Sequence, residues 1–340
     1  METMEMNVSL SLQAGKTDFP EDERASLRST FLKREGLEKE SLIPLPVDCS
    51  KRRYFRLPNF LLMDAPPPHE NTTLFQNMAK FLRDVELSVP HIYAADHVYG
   101  FLLIEDFGQL SYRKALQDKI SEKLLYGETM KALIHLHQQV SKNKADLSSY
   151  GCDTFLDKAS DFLSWHPLSI PKEANSVFKE VWEEAYRNQP IIPQSLMMRD
   201  VMVDNLLWLP LRQGFKRCGF IDFQDGLWGP VTYDLVSLLE DARRDVAPHF
   251  AKEMVEIYFE AFPHLSREDF WASYSLWGAQ RSTRILGLFY RLAKRDDKPH
   301  YLAHIPRVWA YLKRDLQHPT LKPIRQWFDV YGGDQWQKMQ

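Results

Sequence analysis

The stretch Met198-Arg199-Asp200-Val201-Met202-Val203-Asp204-Asn205 is followed, at 219–221, by the apolar run Gly-Phe-Ile and then by Asp222. An aspartate thus precedes an asparagine by five residues, and another aspartate follows seventeen residues later. Residues 206–209 and 218–221 predict two short apolar strands, joined by a turn that contains Pro and Gly. The sequence therefore predicts a loop, a β-hairpin and an aspartate at the end of that hairpin.

This spacing suits phosphoryl transfer. A carboxylate beside the attacking hydroxyl can orient it and accept its proton, while oxygen ligands hold Mg²⁺ against the phosphates of ATP. We predict the first role for Asp200 and predict Asn205 and Asp222 as the metal ligands, because Mg²⁺ prefers such oxygens. An Asp and an Asn at this spacing also occur by chance, so the surrounding hairpin supplies much of the support. The combination is typical of a kinase active site.

The composition indicates an ordinary globular protein of about two domains, with 340 residues, of which 44% are hydrophobic and 26% charged. The net charge of −3, with no strongly basic block, argues against a nucleic-acid partner. Three widely spaced cysteines predict reduced thiols in a cytoplasmic protein. We see no signal peptide and no apolar run of the roughly 20 residues that span a bilayer, so we expect no membrane partner. We also expect the protein to be a monomer.

The period of the hydrophobic pattern divides the chain into a strand-rich part and a helical part. Residues 1–22 are predicted to be a mobile tail, 23–106 an N-lobe with the nucleotide phosphate loop and a hinge, and 107–340 a helical C-lobe with the catalytic loop and the substrate site. We predict an α+β, bilobal protein-kinase-like fold. Short apolar or aromatic runs predict strands at 42–47, 53–57, 60–63, 92–94 and 99–104, and helical spacing predicts helices at 21–36 and 74–85.

Beyond Gly108 the pattern is helical, and the hairpin at 206–221 is the only strand signal that we find there. The predicted helices are 121–140, 155–165, 174–188, 233–244, 250–262, 267–294 and 306–316. Residues 224–230 are predicted to be a loop rich in Gly and Pro. Asp234, near the start of one predicted helix, is expected either to cap that helix or to accept backbone amides of the catalytic loop.

Two segments of the N-lobe are candidates for nucleotide binding. Between the first two predicted strands, the backbone amides of Ser50 and Lys51 and the guanidinium of Arg52 or Arg53 can hold phosphate oxygens. A solvated basic hairpin is the alternative. At the predicted hinge, Glu105 and Phe107 are expected to hydrogen-bond adenine through their backbones, with Ile104 packed behind the ring; an ordinary strand end is the alternative there.

Six further residues are candidates for contact with the phosphate acceptor: Asp64, Arg199, Asp204, Gln224, Asp225 and Arg243. Asp64 ends a predicted strand just before two prolines, where its carboxylate is expected to meet either the substrate or an arginine. Arg243 is expected to meet either an acidic substrate or an acidic neighbour in a surface ion pair.

The residues around these candidates identify a resemblance. Arg-Asp, four residues, Asn-Leu-Leu-Trp, and then Ile-Asp-Phe-Gln-Asp and Tyr-Asp-Leu-Val-Ser-Leu-Leu resemble the aminoglycoside phosphotransferase and choline kinase superfamily. More narrowly, the runs at 52–57, 63–67 and 229–234 look like those of the bacterial anomeric kinases for N-acetylmuramate and N-acetylglucosamine. The similarity extends from about Arg24 to Leu316. It implies an ATP- and Mg²⁺-dependent sugar kinase that phosphorylates an anomeric hydroxyl in peptidoglycan recycling.

The catalytic loop departs from this resemblance at Met198, Val201 and Met202, where the relatives usually carry His, Tyr and His. A methionine can pack but cannot replace a histidine's hydrogen bonds, so the departure bears on substrate specificity while Asp200 and the metal ligands are retained. Two alternatives stay open: a phosphotransferase for another hydroxyl acceptor, such as an aminoglycoside, a choline-like alcohol or a hydroxy amino acid, and a nucleotide-binding pseudokinase.

Overall fold

The structure, a computed structural model, describes residues 21–46, 51–140, 147–167, 170–333 and 336. Two compact units divide the chain: residues 1–77 with 91–106, and residues 78–90 with 107–340. Most of the tail predicted at 1–22 lies outside the described residues, and the first helix begins at Glu21. Within the described ranges, no helix combines the length and the apolar character needed to cross a membrane.

The first unit is a five-stranded antiparallel sheet with a helix packed on it. Its strands are β1 (Ile43–Pro44), β2 (Arg53–Arg56), β3 (Phe60–Asp64), β4 (Ile92–Asp96) and β5 (Phe101–Glu105), in the order β1-β2-β3-β5-β4. Helix α1 (Glu21–Arg34) contributes Phe31 and Leu32 to a core shared with Leu62 and Phe101. The strand-rich first lobe that the sequence predicts is confirmed.

Helix α2 (Thr72–Asp84) contains the passage from the first unit to the second. The helices of the second unit are α3 (Tyr112–Gln117), α4 (Glu122–Val140), α5 (Cys152–Trp165), α6 (Lys172–Arg187), α7 (Thr232–Leu239), α8 (Pro248–Ala261), α9 (Arg267–Lys294), α10 (Ile305–Asp315) and α11 (Lys322–Tyr331). Its strands are β6 (Gln194–Met197), β7 (Leu206–Trp208), β8 (Cys218–Phe220) and β9 (Leu227–Pro230). The mostly helical second lobe is also confirmed.

Helix α9 is the centre of the second unit, because α5, α7 and α10 all pack against it. Its neighbours contribute an aromatic core that includes Phe162, Trp277 and Trp309. Where α9 meets α5, a Cβ on Gly287 would lie 2.6 Å from the backbone of Asp161 and Phe162, closer than packed atoms can approach. A glycine at 287 therefore allows these two helices to touch.

Two predictions for the second unit are wrong. Residues 227–230 are not a loop but strand β9, which pairs with β6 so that Met197 lies opposite Leu227 and Gln194 opposite Pro230. The hairpin is thus not the only strand pair in this unit. The pairing joins segments about thirty residues apart, so no local spacing announces it, and Gly and Pro are tolerated because the sheet has only two strands.

The helix predicted at 233–244 is also too long, since α7 ends at Leu239. Just beyond it, the carboxylate of Asp241 accepts the backbone amide of Arg243 at 2.8 Å. Such side-chain bonds to nearby amides compete with the helical pattern, and this one turns the chain. The segment that follows α7 therefore carries polar anchors instead of continuing the helix.

Candidate active site

The loop that carries Asp200 is held from below by the first turn of α7. Asp234 is buried, and its two carboxylate oxygens accept the backbone amides of Met198 at 2.7 Å and Arg199 at 2.8 Å. Ser237, one turn further along, donates to the carbonyl of Arg199 at 3.1 Å. Of the two roles predicted for Asp234, acceptance of the loop amides is thus confirmed.

Asp241 holds the other side of the same loop. Its carboxylate, also buried, accepts the backbone amide of Val203 at 3.2 Å. Asp200 therefore lies between two anchored positions, 199 and 203, and its main chain is restrained on both sides. This role of Asp241 could not be predicted from the sequence, because an aspartate shortly after a helix has no distinctive local pattern.

Three hydrogen bonds connect Asp200, Asn205 and the end of the hairpin. The side-chain amide of Asn205 donates to the carbonyl of Asp200 at 2.9 Å, and its backbone amide donates to Met202 at 2.8 Å. The amide of Ile221 in turn donates to the carbonyl of Asn205 at 3.0 Å. Because Asp222 directly follows Ile221, the fold brings all three predicted catalytic positions into one connected segment.

Asp222 projects from a strained position at the end of the hairpin. Its φ of 61° lies in the left-handed region, which is rare for residues other than glycine and common at functional sites. The residue is exposed, and Gln224 donates from its amide to the carboxylate of Asp222 at 2.9 Å and to that of Asp225 at 3.2 Å. Gln224 therefore bridges Asp225 and Asp222, the aspartate that is predicted to hold metal.

The donor set at this place fits Mg²⁺. With its nitrogen bonded to the Asp200 carbonyl, the Asn205 side chain has its oxygen left to serve as a ligand, and Asp222 adds a carboxylate. Among the described residues there is no group of three or more His, Cys, Asp or Glu that could hold a metal by itself. Mg²⁺ commonly takes only one or two protein carboxylates and completes its shell with phosphates and water.

Burial and neighbouring charges control the electrostatics around Asp200. Burial raises the pKa of Asp234 to about 7, and the charge of Asp200 acts in the same direction. On the other side, burial lowers the pKa of Arg284, but Tyr233 and then Asp200 outweigh it and raise that pKa above its usual value. Asp200 therefore lies within electrostatic reach of a buried acid and of a cation.

Asp204 and Arg243, both predicted to contact the acceptor, form part of an ion-pair cluster. Both carboxylate oxygens of Asp204 accept from Arg113, one of them at 2.8 Å, and Arg243 approaches the same carboxylate at 3.3 Å. Burial raises the pKa of Asp204, but the bonds from Arg113 outweigh it and lower that pKa. The structure thus brings these two residues to each other, as the ion-pair alternative for Arg243 expected.

Asp64 pairs with arginines in the core of the first unit. Its buried carboxylate accepts from Arg24 and, at 2.8 Å, from Arg28, both on α1. Of the two roles predicted for Asp64, the structure supports arginine pairing, because both arginines donate to its carboxylate and the residue has only 1% of its surface exposed.

The predicted nucleotide residues have the following positions within their own units. Ser50 lies outside the described residues; Lys51 and Arg52 directly precede β2, Arg53 opens it, and Arg52 pairs with Glu70 at 3.3 Å. Ile104 is buried in β5, and the carboxylate of Glu105 accepts the amide of His91 at 3.2 Å. Phe107 lies under the guanidinium of Arg212, 4.9 Å from its ring centroid. The roles of these residues stay predictions.

Comparison with known proteins identifies a family for this chain. Residues 41–271 match the family model described as "Phosphotransferase enzyme family". The chain is 31% identical to the N-acetylmuramate/N-acetylglucosamine kinase of Caulobacter vibrioides, over 91% of this chain and 97% of that protein.

Solved structures agree in fold. A choline/ethanolamine kinase family protein from Mesorhizobium loti superposes with a TM-score of 0.62 at 16% identity, covering 88% of this chain and 97% of that one. The aminoglycoside phosphotransferase APH(2'')-Ib, solved with bound ADP, gives a TM-score of 0.58 at 14% identity, covering 83% and 96%.

Proposed function

Because the chain belongs to the phosphotransferase enzyme family, we propose that it transfers the γ-phosphoryl group of ATP to the anomeric hydroxyl of an amino sugar, in cell-wall recycling. The observation that supports this most is the hydrogen-bonded connection of Asp200, Asn205 and the residue before Asp222. The acceptor comes from the name of the Caulobacter vibrioides relative, an N-acetylmuramate/N-acetylglucosamine kinase.

In this proposal, Asp200 orients the sugar hydroxyl and accepts its proton as the phosphoryl group arrives. A general base must be held within hydrogen-bond reach of the proton that it takes. Asp234 and Asp241 would hold Asp200 in place by accepting backbone amides on either side of it in the loop. Mg²⁺, held by Asn205 and Asp222, would neutralise charge that develops on the phosphates.

We further propose that the first unit supplies the nucleotide contacts. Lys51, Arg52 and Arg53 would hold phosphate oxygens, and the backbone near Glu105 would meet adenine. The ADP bound to the aminoglycoside phosphotransferase of similar fold supports a nucleotide as cosubstrate. An arginine in this role would replace the lysine that protein kinases place on the third strand, which has none here.

Asp200→Asn tests the proposal directly. Loss of a general base costs about 10²- to 10⁴-fold in rate, so ADP release with N-acetylglucosamine or N-acetylmuramate should fall by that factor. Thermal-shift titration should show that binding of Mg·ATP persists. Asp84→Asn, which removes an exposed partner of Lys80, is the control and should keep wild-type activity. Full production of sugar phosphate by Asp200→Asn would remove Asp200 from the mechanism.

The same assay separates the two alternatives. Release of ADP with an aminoglycoside, a choline-like alcohol or a hydroxy amino acid, and with neither sugar, would reassign the acceptor. Binding of nucleotide without release on any acceptor would identify a pseudokinase. Met198, Val201 and Met202 are all buried, with at most 8% of their surface exposed.

A further inference from the structure

A cluster of two arginines and two tyrosines lies beside Asp200. We define it as the Tyr150 cluster: Arg199, Arg284, Tyr150 and Tyr233. The guanidinium of Arg199 lies 5.9 Å from the ring centroid of Tyr150, and Arg284 donates to the hydroxyl of Tyr233 at 3.3 Å. The two tyrosine rings are buried, with centroids 5.9 Å apart. The tyrosines thus form a rigid support on which the two cations are placed.

Neither cation forms an ion pair with a carboxylate of the described residues. Within the part of the chain that the structure describes, no acidic oxygen lies within 4.0 Å of a nitrogen of Arg199 or Arg284. The guanidinium of Arg199 donates once, to the carbonyl of Asp225 at 3.2 Å, and its Nε is buried without a partner. Arg284 is half-buried and makes a single hydrogen bond.

Three other arginines of this unit have acidic partners, whereas the buried Arg281 donates to a backbone carbonyl, that of Glu240, at 3.3 Å. Arg113 pairs with Asp204, Arg244 with Glu122, and Arg314 with Glu240. Burial of a cation without an anion is costly, because the charge loses water and gains nothing in return. Arg199 and Arg284, which contact the ring pair of Tyr150 and Tyr233 and form no ion pair with a described residue, are therefore placed to bind an anion from outside the chain.

The position of the cluster limits what that anion can be. Arg199 adjoins Asp200 in sequence, and the charge of Asp200 acts on Arg284. The anion must therefore lie close to the hydroxyl that Asp200 would activate. N-acetylmuramate differs from N-acetylglucosamine by a lactyl ether that ends in a carboxylate, whereas both sugars share the reacting hydroxyl. Guanidinium groups bind carboxylates with paired hydrogen bonds.

We propose that Arg284, with Arg199, binds the carboxylate of an acidic amino sugar and so sets the preference of the enzyme for N-acetylmuramate over N-acetylglucosamine. This inference rests on the proposed function. The same two cations would also suit the γ-phosphate of the nucleotide, which is the other source of anionic oxygens at this place. The kinetic test separates the two sources.

Arg284→Gln is the decisive variant, compared with wild type on both sugars. Hydrogen bonds to a charged group are worth enough that the ratio of kcat/KM for N-acetylmuramate to that for N-acetylglucosamine should fall about 10- to 100-fold. Arg284→Lys keeps the charge but not the paired geometry, and should lower the ratio less, by about 3- to 10-fold. Arg267→Gln, which removes an exposed partner of Glu256, should leave the ratio unchanged.

Three results would overturn the assignment. An unchanged ratio, with equal loss on both sugars, would mean that Arg284 acts only through Asp200. A rise in KM for ATP, with the ratio unchanged, would place the γ-phosphate on these arginines. If wild type phosphorylates neither sugar, the proposed function fails and this inference fails with it. If Arg284→Gln does not fold, Arg284→Lys decides the matter by the same ratio.

Discussion

The side-chain amide of Asn205 donates a hydrogen bond to the backbone carbonyl of Asp200 at 2.9 Å. This bond closes the catalytic loop and sets which end of the Asn205 amide is left for a ligand. Because the nitrogen is occupied, the oxygen is the atom that can meet a cation. One side chain thus links the proposed base to the proposed metal site.

Loss of either proposed metal ligand should raise the Mg²⁺ concentration that the reaction needs. We expect Asn205→Ala and Asp222→Asn each to raise the Mg²⁺ concentration for half-maximal ADP release by about tenfold or more, since metal-site changes typically cost 10- to 100-fold. Titration of the initial rate with MgCl₂ at saturating ATP measures this. Asp118→Asn, which removes an exposed partner of Lys114, is the control. An unaltered Mg²⁺ profile for either variant would exclude that residue as a ligand.

Asp234 should make stability depend on pH near neutrality. Its pKa is about 7 in the folded chain and is expected near its ordinary value of 3.8 when unfolded. Between pH 3.8 and about pH 7 the folded state keeps a proton on Asp234 that the unfolded state has lost, so the free energy of unfolding falls as pH rises. The full effect is on the order of 4 kcal/mol.

Asp234→Asn removes this titration. The variant should be less stable than wild type at pH 5 by about 1–3 kcal/mol, because an Asn side chain offers a single acceptor oxygen to the two loop amides. The deficit should shrink between pH 5 and pH 8, as wild type alone acquires the buried charge. Urea unfolding of both proteins at several pH values measures the difference, and a deficit that grows with pH would contradict this assignment.

Asp64 should matter for folding rather than for catalysis. Asp64→Asn removes the buried carboxylate charge that Arg24 and Arg28 share, and breaking such a buried ion pair costs about 3–5 kcal/mol. The exposed pair of Asp84 with Lys80 provides the comparison, and Asp84→Asn should cost less than about 1 kcal/mol. Chemical denaturation gives both values. A stable Asp64→Asn protein with a raised KM for the sugar would restore the substrate role.

Two helix glycines should respond to alanine in opposite directions. Gly287→Ala places a methyl group 2.6 Å from the backbone of α5, and such overpacking costs about 1–3 kcal/mol. Gly127, within α4, has nothing within 4 Å of the added methyl, so Gly127→Ala should stabilise the helix by up to about 1 kcal/mol. Thermal unfolding of the two variants beside wild type measures both shifts. Equal effects would show that the α5–α9 contact is not tight.

The proposed catalytic positions could be predicted from the sequence because they lie close together along the chain. Asp200 and Asn205 are five residues apart, and the hairpin that delivers Asp222 has apolar strands and a turn with recognisable residues. The long helix α9 was predicted with the bounds that the structure has, because its apolar residues recur at helical spacing along one continuous segment. Local periodicity and turn chemistry carry this information without any distant contact.

The supports of the site depend on contacts between distant segments. Asp234 accepts amides from residues 35 and 36 positions earlier, and β9 pairs with a strand about thirty residues away. Arg284 reaches Tyr233 across 51 positions. An aspartate or arginine has the same local pattern whether it is solvated or buried, and only the folded chain supplies its burial and partners. Spacing therefore pointed to the residues that we propose to react, whereas tertiary packing decided what holds them and which cations lie beside them.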